Sequence, residues 1–386
     1  MPKPARLFSS LPPYPLTDVP AIKRDLRAKG VDVIDLGAGD ADLSPPPDAV
    51  RALQEAVCDP ANSRYPFQIG LVSFREEIAR WMAGRFGVEV DPMREVALLI
   101  GSKEGIYHLP FAFVEPGDTT IVPDPGYQAY VGGTVLAGGT PYQVPLRPEN
   151  DFLIPLEELP EDVVRRAKIL YLNYPNNPTA AVAPREFLER AVAWCREHDV
   201  ILAYDNAYSE LAFDSYRPPS ILEIPGAREV AIEFHSLSKT YNMTGWRIGW
   251  AVGNPDLVAA VTRVKTFADT GVPFVAQHAG IAALRSHAEW VPGNVATFQA
   301  RRDAAWEAFR AAGLNVPKPS ATMYLWVPLP AGVESGPWAR RLLLEQGVSV
   351  LPGRSLGAGG EGFFRVALTT SEARLREAAE RVAKLL

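Results

Sequence analysis

The chain has 386 residues, 47% of them hydrophobic and 22% charged, and its formal net charge is −6. That length allows an ample core in one large and one small domain, and the composition is that of an ordinary soluble globular protein. Basic residues cluster only in pairs such as Arg165-Arg166, Arg301-Arg302 and Arg340-Arg341. This argues against nucleic acid as the main partner. Pro, Gly or a charge breaks every apolar window before it reaches membrane-spanning length, which argues against a membrane partner. The opening Met-Pro-Lys-Pro-Ala-Arg-Leu-Phe lacks the apolar core of a signal peptide, so a cytoplasmic location is expected. Cys195 shares a helical face with Phe187, Leu188, Ala191 and Val192 and is expected in a core; Cys58 has no Cys or His nearby. Neither points to a metal site or a catalytic thiol.

In chain order, residues 1–32 read as a Pro-rich arm and a short amphipathic helix ending at Gly30. Val33–Leu36 is strand-like and runs into Gly37-Ala-Gly-Asp-Ala-Asp42, which lacks the third glycine of a dinucleotide loop. From about residue 48, helical segments (48–57, 71–86, 101–114, 127–136, 184–198, 255–267, 274–287) alternate with apolar strands (96–100, 119–122, 168–173, 200–205, 229–234, 247–252). Continuous apolar strands separated by helices predict a parallel-rich α/β sheet covered on both faces. From about 293 a long amphipathic helix (294–312) precedes short strands near 324–327, 348–351 and 364–368 and a terminal helix from Glu372, a smaller α+β unit. The expected division is 1–44 as arm and part of the small domain, 45–290 as the large domain and 291–386 as the small one. Gly357, Gly359 and Gly362 match G-x-G-x-x-G but lead into the strand-like Phe363–Leu368 and not into a helix, so a Rossmann reading fails on context.

The chemistry is expected around Ser236-Leu-Ser-Lys-Thr-Tyr-Asn-Met-Thr-Gly-Trp-Arg-Ile-Gly-Trp250, between two apolar strand-like segments. An ammonium at Lys239 would be partly desolvated there, which lowers its pKa and makes it a usable amine nucleophile. Ser236, Ser238 and Arg247 supply short hydroxyls and a fork-shaped cation suited to a phosphate dianion. Together they suggest a Schiff base with pyridoxal 5′-phosphate (PLP). Gly101-Ser102-Lys103 follows a strand and opens a helix, whose free N–H groups offer a second wall for the phosphate. Asp205 closes the strand 200–205; alone it would be a turn cap, but beside a pyridine ring its carboxylate would keep the ring nitrogen protonated.

These strings resemble the fold-type I, class I/II aminotransferases: the lysine motif just quoted, Asn173-Tyr-Pro-Asn-Asn-Pro-Thr179, and Asp205-Asn-Ala-Tyr208, in order and spacing over nearly the whole chain. The resemblance implies that Lys239 links covalently to PLP and then shuttles the substrate proton. It implies that Asp205 pairs with the pyridinium nitrogen and that Tyr208 and Asn177 bond the ring's phenolic oxygen. Tyr127 would stack on the ring, and Ser102, Lys103, Ser236, Ser238 and Arg247 would hold the phosphate. Tyr65 would reach the phosphate of a neighbouring subunit, implying a homodimer with shared active sites. Arg365 would grip the substrate α-carboxylate, assisted by Gly39; Asn177, Tyr14 and Gln68 complete the expected substrate contacts, and no metal is expected. Ala180 and Ala41 depart from the family pattern at positions that shape turns.

Within that family the likeness runs longest to the LL-diaminopimelate aminotransferases, through Leu11-Pro-Pro-Tyr14, Leu99–Ile106, Val122–Tyr127, Leu172–Thr179 and Ile232–Trp246. At the place where the plant-type enzymes carry a glutamate for the distal ammonium, this chain has neutral Gln68, and Thr270 stands in place of Asn. A neutral amide gives little Coulombic preference for an ammonium. Alanine, aspartate or broad-specificity amino transfer to 2-oxoglutarate therefore stands as the alternative. β-Elimination on the same cofactor is a further reading, and a non-catalytic regulatory module has no room for a DNA-binding helix pair at the N-terminus.

Overall fold

The computed structural model describes residues 2–12, 18–67 and 69–386. Its strands are β1 (Ile34–Asp35), β2 (Val96–Leu99), β3 (Thr119–Asp124), β4 (Thr140–Pro145), β5 (Ala167–Leu172), β6 (Ile201–Asp205), β7 (Ala231–Ser236), β8 (Gly249–Gly253), β9 (Tyr324–Pro328), β10 (Val348–Ser349), β11 (Leu351–Pro352) and β12 (Phe363–Ala367). A 7-stranded sheet in the order β2-β8-β7-β6-β5-β3-β4 forms the main layer. Only β8 runs against its neighbours β2 and β7; the other pairings are parallel.

Side chains alternate between the faces of a strand, and here both faces are apolar. Leu170, Leu172, Leu202, Tyr204 and Val252 join one core with Phe187, Leu188, Val192 and Cys195 of the helix Arg185–Glu197. Ile169, Tyr171, Ala203, Ile232 and Phe234 join the other core with Ile106, Leu109 and Val261. Cys195 lies in the first core, and burial raises its thiol pKa far above the usual range, so it packs as a small hydrophobe.

A separate core surrounds the antiparallel sheet β11-β12-β9. The parallel pair β1-β10 brings Ile34 beside Val348, which ties the N-terminal segment into this smaller layer. The helices Ser335–Gln346 and Glu372–Ala383 cover it.

Several elements differ from the sequence reading. β4 was not expected: its segment Thr-Pro-Tyr-Gln-Val-Pro carries two prolines, which a sheet accepts only at an edge. The helix Ser335–Gln346 was also missed. The strand expected from Glu229 begins at Ala231, after a helical turn at Ala227–Val230. The long helix starts at His287 and runs to Ala311 through Pro292. Lys239 lies not in an open loop but in the single helical turn Leu237–Thr240.

The glycine string at 357–362 has a structural task. Gly359 N–H donates to the Asp124 carboxylate at 3.0 Å, Gly126 N–H donates to the Leu356 carbonyl at 2.9 Å, and Gln128 donates to the Ser355 carbonyl at 2.8 Å. These bonds dock the smaller layer on the turn that carries Tyr127.

Candidate active site

A cavity of about 640 Å³ lies at the carboxyl ends of the parallel strands, where α/β sheets collect their ligands. Each strand delivers its residues through the turn that follows it: Ser102 and Lys103 after β2, Tyr127 after β3, Asn173 and Asn177 after β5, Tyr208 after β6 and Lys239 after β7. Because β8 runs the other way, it brings Arg247 to the same end from its N-terminal side. Gly39 and Arg365 come from the smaller layer.

Asp205 ends β6 with its carboxylate buried. Its Oδ2 accepts from the Tyr130 hydroxyl at 2.8 Å, and its Oδ1 has no partner. Burial pushes its pKa up to about 6, against the opposing pull of Tyr130, the Ala207 backbone and His235. A half-satisfied buried carboxylate is costly, and a cation at Oδ1 would relieve it.

Asn173 ties the turns together: its Nδ2 donates to the Asp205 carbonyl at 2.7 Å, and its Oδ1 accepts from the Asn177 backbone at 2.7 Å. Arg365 is buried and donates to Asn177 Oδ1 at 2.7 Å and to the Gly37 carbonyl at 2.9 Å. Its guanidinium lies 4.0 Å from the centre of the Tyr324 ring. Lys239 Nζ donates to the Gly39 carbonyl.

The opposite end is built for an anion. The helix Ser102–Phe113 begins there, and its first N–H groups have no intrahelical acceptor. Ser236 Oγ accepts from Ser238 N–H at 3.2 Å. Arg247 donates to the Thr244 carbonyl at 2.8 Å. A Cβ at position 249 would sit 2.7 Å from Ser102 N and 2.5 Å from the His235 carbonyl, both backbone atoms. Only glycine lets β8 approach the helix start this closely. Lys103, Lys239, Arg247 and Arg365 outnumber Asp40 and Asp205 around the cavity, so it favours anionic ligands.

Every expected site residue among the described ones lines this cavity except Tyr65, which lies on the surface 5.8 Å from Phe67, ring to ring. Tyr14 and Gln68 lie outside the described residues. Three residues escaped the sequence reading. Asn173 stood inside a recognised string. Tyr130 and Tyr324 gave no signal, because their hydroxyls reach the site from the helix Gln128–Leu136 and from β9, far along the chain.

The family model for aminotransferases of class I and II matches residues 31–382. The chain belongs to this family. The LL-diaminopimelate aminotransferase of Desulforudis audaxviator is 49% identical to this aminotransferase over 98% of the chain and 96% of the relative. The enzyme of that name from Aquifex aeolicus is 49% identical over 97% of each. Among solved structures, substrate-bound BacF from Bacillus subtilis superposes with a TM-score of 0.95 at 34% identity, covering 100% of this chain and 98% of that one. Aspartate aminotransferase from Thermus thermophilus with maleate gives 0.91 at 32% identity, with 100% of both chains covered. The aminotransferase thus has the fold-type I architecture expected of its motifs. No helix among the described residues is long and apolar enough to cross a membrane.

Proposed function

We propose that this aminotransferase carries PLP on Lys239 and moves an amino group from LL-diaminopimelate to 2-oxoglutarate. The observation that carries the cofactor reading is the orphaned Oδ1 of Asp205, buried beside a cavity whose other end offers a helix N-terminus, two serines and Arg247. A ring cation at one end and a phosphate at the other fit that donor set. Bound PLP supplies an electron-accepting ring for the electrons left when the substrate's Cα proton departs.

The residues do the rest. Asp205 would hold the ring nitrogen as a cation and would itself be drawn back toward its ionised form there. Tyr208 and Asn177 would hold the ring oxygen, and Tyr127 would cover a ring face. Arg365 would orient the substrate by its α-carboxylate with two parallel bonds. The Lys239 amine would then serve as the base that accepts the substrate's Cα proton. Tyr65 from a second copy completes the phosphate site. The exposed apolar run Tyr65, Phe67, Ile69 and Val72 supports a homodimer. The division at residues 44/45 and 290/291 goes with this reading, the helix His287–Ala311 bridging the second boundary.

The donor assignment is supported by the relatives just described, which match at 49% identity over nearly their full length. It is tested with LL-diaminopimelate, alanine, aspartate and glutamate as donors. LL-diaminopimelate should give the highest kcat/KM with 2-oxoglutarate, and preference for alanine or aspartate would favour the broader reading. Pyruvate and ammonia formed without an oxo-acid acceptor would instead indicate elimination. Lys239→Ala should cost at least about 10³-fold in kcat and abolish borohydride-fixed cofactor at that position. Unchanged turnover would refute the assignment.

A further inference from the structure

Tyr324 is a buried tyrosine at the start of β9 to which the scheme above gives no task. Its neighbours are the working groups. β9 pairs with β12 so that Arg365 opposes Trp326 and Ala367 opposes Tyr324, which makes Tyr324 and Arg365 diagonal neighbours on one face of the sheet. The Arg365 guanidinium sits over the ring at 4.0 Å. The Tyr324 hydroxyl is 3.2 Å from the Tyr208 hydroxyl. A Cβ on Gly39 would fall 2.1 Å from the same hydroxyl oxygen, so glycine at 39 leaves room for this side chain. The Gly39 carbonyl receives the Lys239 amine. One phenol thus touches the carboxylate fork, the Tyr208 hydroxyl and the Gly39 turn whose carbonyl accepts from Lys239.

We propose that Tyr324 is a positioning residue for the transfer reaction: its hydroxyl donates to the Tyr208 oxygen and turns the Tyr208 proton into the cavity, while its ring seats the Arg365 guanidinium. The inference rests on the function proposed above. The donor direction follows from the charges. Burial raises the pKa of both phenols, but Arg365, Lys239 and the bond to Tyr208 together outweigh burial at Tyr324 and hold its pKa below the usual tyrosine value, while Tyr208 is left well above it. The more acidic hydroxyl is the better donor. A hydroxyl that accepts one bond donates more strongly through its own proton, so Tyr208 becomes a firmer partner for an oxygen anion in the cavity. The ring contributes separately, because a guanidinium over an aromatic face is attracted by its quadrupole and held in plane. Tyr324 therefore couples two groups that Asn177 also joins: the Arg365 fork and the donor to the ring oxygen.

The two contributions separate by substitution in the PLP-loaded protein. Tyr324→Phe keeps the ring and removes the hydroxyl. A weaker donor at Tyr208 stabilises the deprotonated chromophore less, so the pH midpoint of its colour change should rise by about half a unit or more. The affinity for 2-methylalanine, an amino acid without a Cα proton, should stay within about twofold, since the ring under Arg365 remains. Tyr324→Leu removes the ring as well and should weaken that affinity by a further ~5-fold. An unmoved midpoint in Tyr324→Phe overturns the proposal, whether or not Tyr324→Leu folds. Failure of the underlying cofactor reading shows differently, as wild-type protein that acquires no chromophore.

Discussion

Asp205 shows at the scale of one residue how a site made for a cofactor burdens the protein that lacks it. Its carboxyl is buried, half satisfied and raised from 3.8 to about 6. Below 3.8 the folded and unfolded chains both hold the proton, and burial costs nothing through ionisation. Between 3.8 and about 6 the unfolded chain releases its proton while the folded one retains it, so stability falls as pH rises through this window. Above it the loss is complete, up to ~3 kcal/mol. Cofactor-free Asp205→Asn should therefore resist urea better than cofactor-free wild type at pH 7 and match it below pH 4. Equal denaturation midpoints at pH 7 would contradict the burial argument. In the loaded protein the same substitution removes the ring's counter-charge and should lower kcat.

At the scale of elements, the Ser102–Arg247 end of the cavity depends on how the helix Ser102–Phe113 is held. Glu104 in its first turn accepts from the Ile100 backbone at 2.6 Å and from the fully buried ammonium of Lys265 at 2.6 Å. Asp269 closes on the same ammonium at 3.1 Å. Glu104, His108 and Asp269 are spaced as metal ligands would be, but the Lys265 cation stands among them. Burial raises the Glu104 pKa, yet His108, Lys265 and the Ile100 bond outweigh it and leave the pKa below normal. This group thus stabilises the fold above its unfolded pKa of 4.5, and the contribution is lost as acid protonates it. Lys265→Met strands a buried carboxylate and should cost about 3–5 kcal/mol, measured by denaturant unfolding near neutral pH. A cost below ~1 kcal/mol would mean water already screens the pair.

For the whole molecule, the exposed run Tyr65, Phe67 and Ile69, with relative exposures of 67%, 66% and 52%, is the strongest argument for a second copy. Apolar groups gathered this way on a surface mark an interface. Phe67→Asp should shift sedimentation from dimer toward monomer, and activity should fall with protein concentration as the sites that share Tyr65 come apart. A dimer of undiminished affinity would remove that segment from the interface. The docking of the smaller layer through Asp124 and Gly359 helps set where Arg365 stands relative to Lys239, so the geometry of the cavity depends on contacts made away from it.

The alternation of apolar strands with helices settled the parallel sheet, because strands buried on both faces leave no other readable pattern. The motif strings marked Lys239, Asp205, Tyr208, Asn177, Arg247 and Arg365, which the fold gathers around one cavity, because each stands in a short string at a strand or turn that opens there. β4 stayed hidden because its prolines forbid a central strand and edge position is not written locally. Tyr130, Tyr324 and the Lys265–Glu104 pair stayed hidden for a different reason. Each acts on a partner brought near only by the fold, and a tyrosine or lysine has the same local signature whether it packs, pairs or positions. Local sequence marked the polar residues that meet at one cavity; tertiary structure alone decided what holds them in place, because hydrogen bonds and burial join positions that the chain keeps far apart.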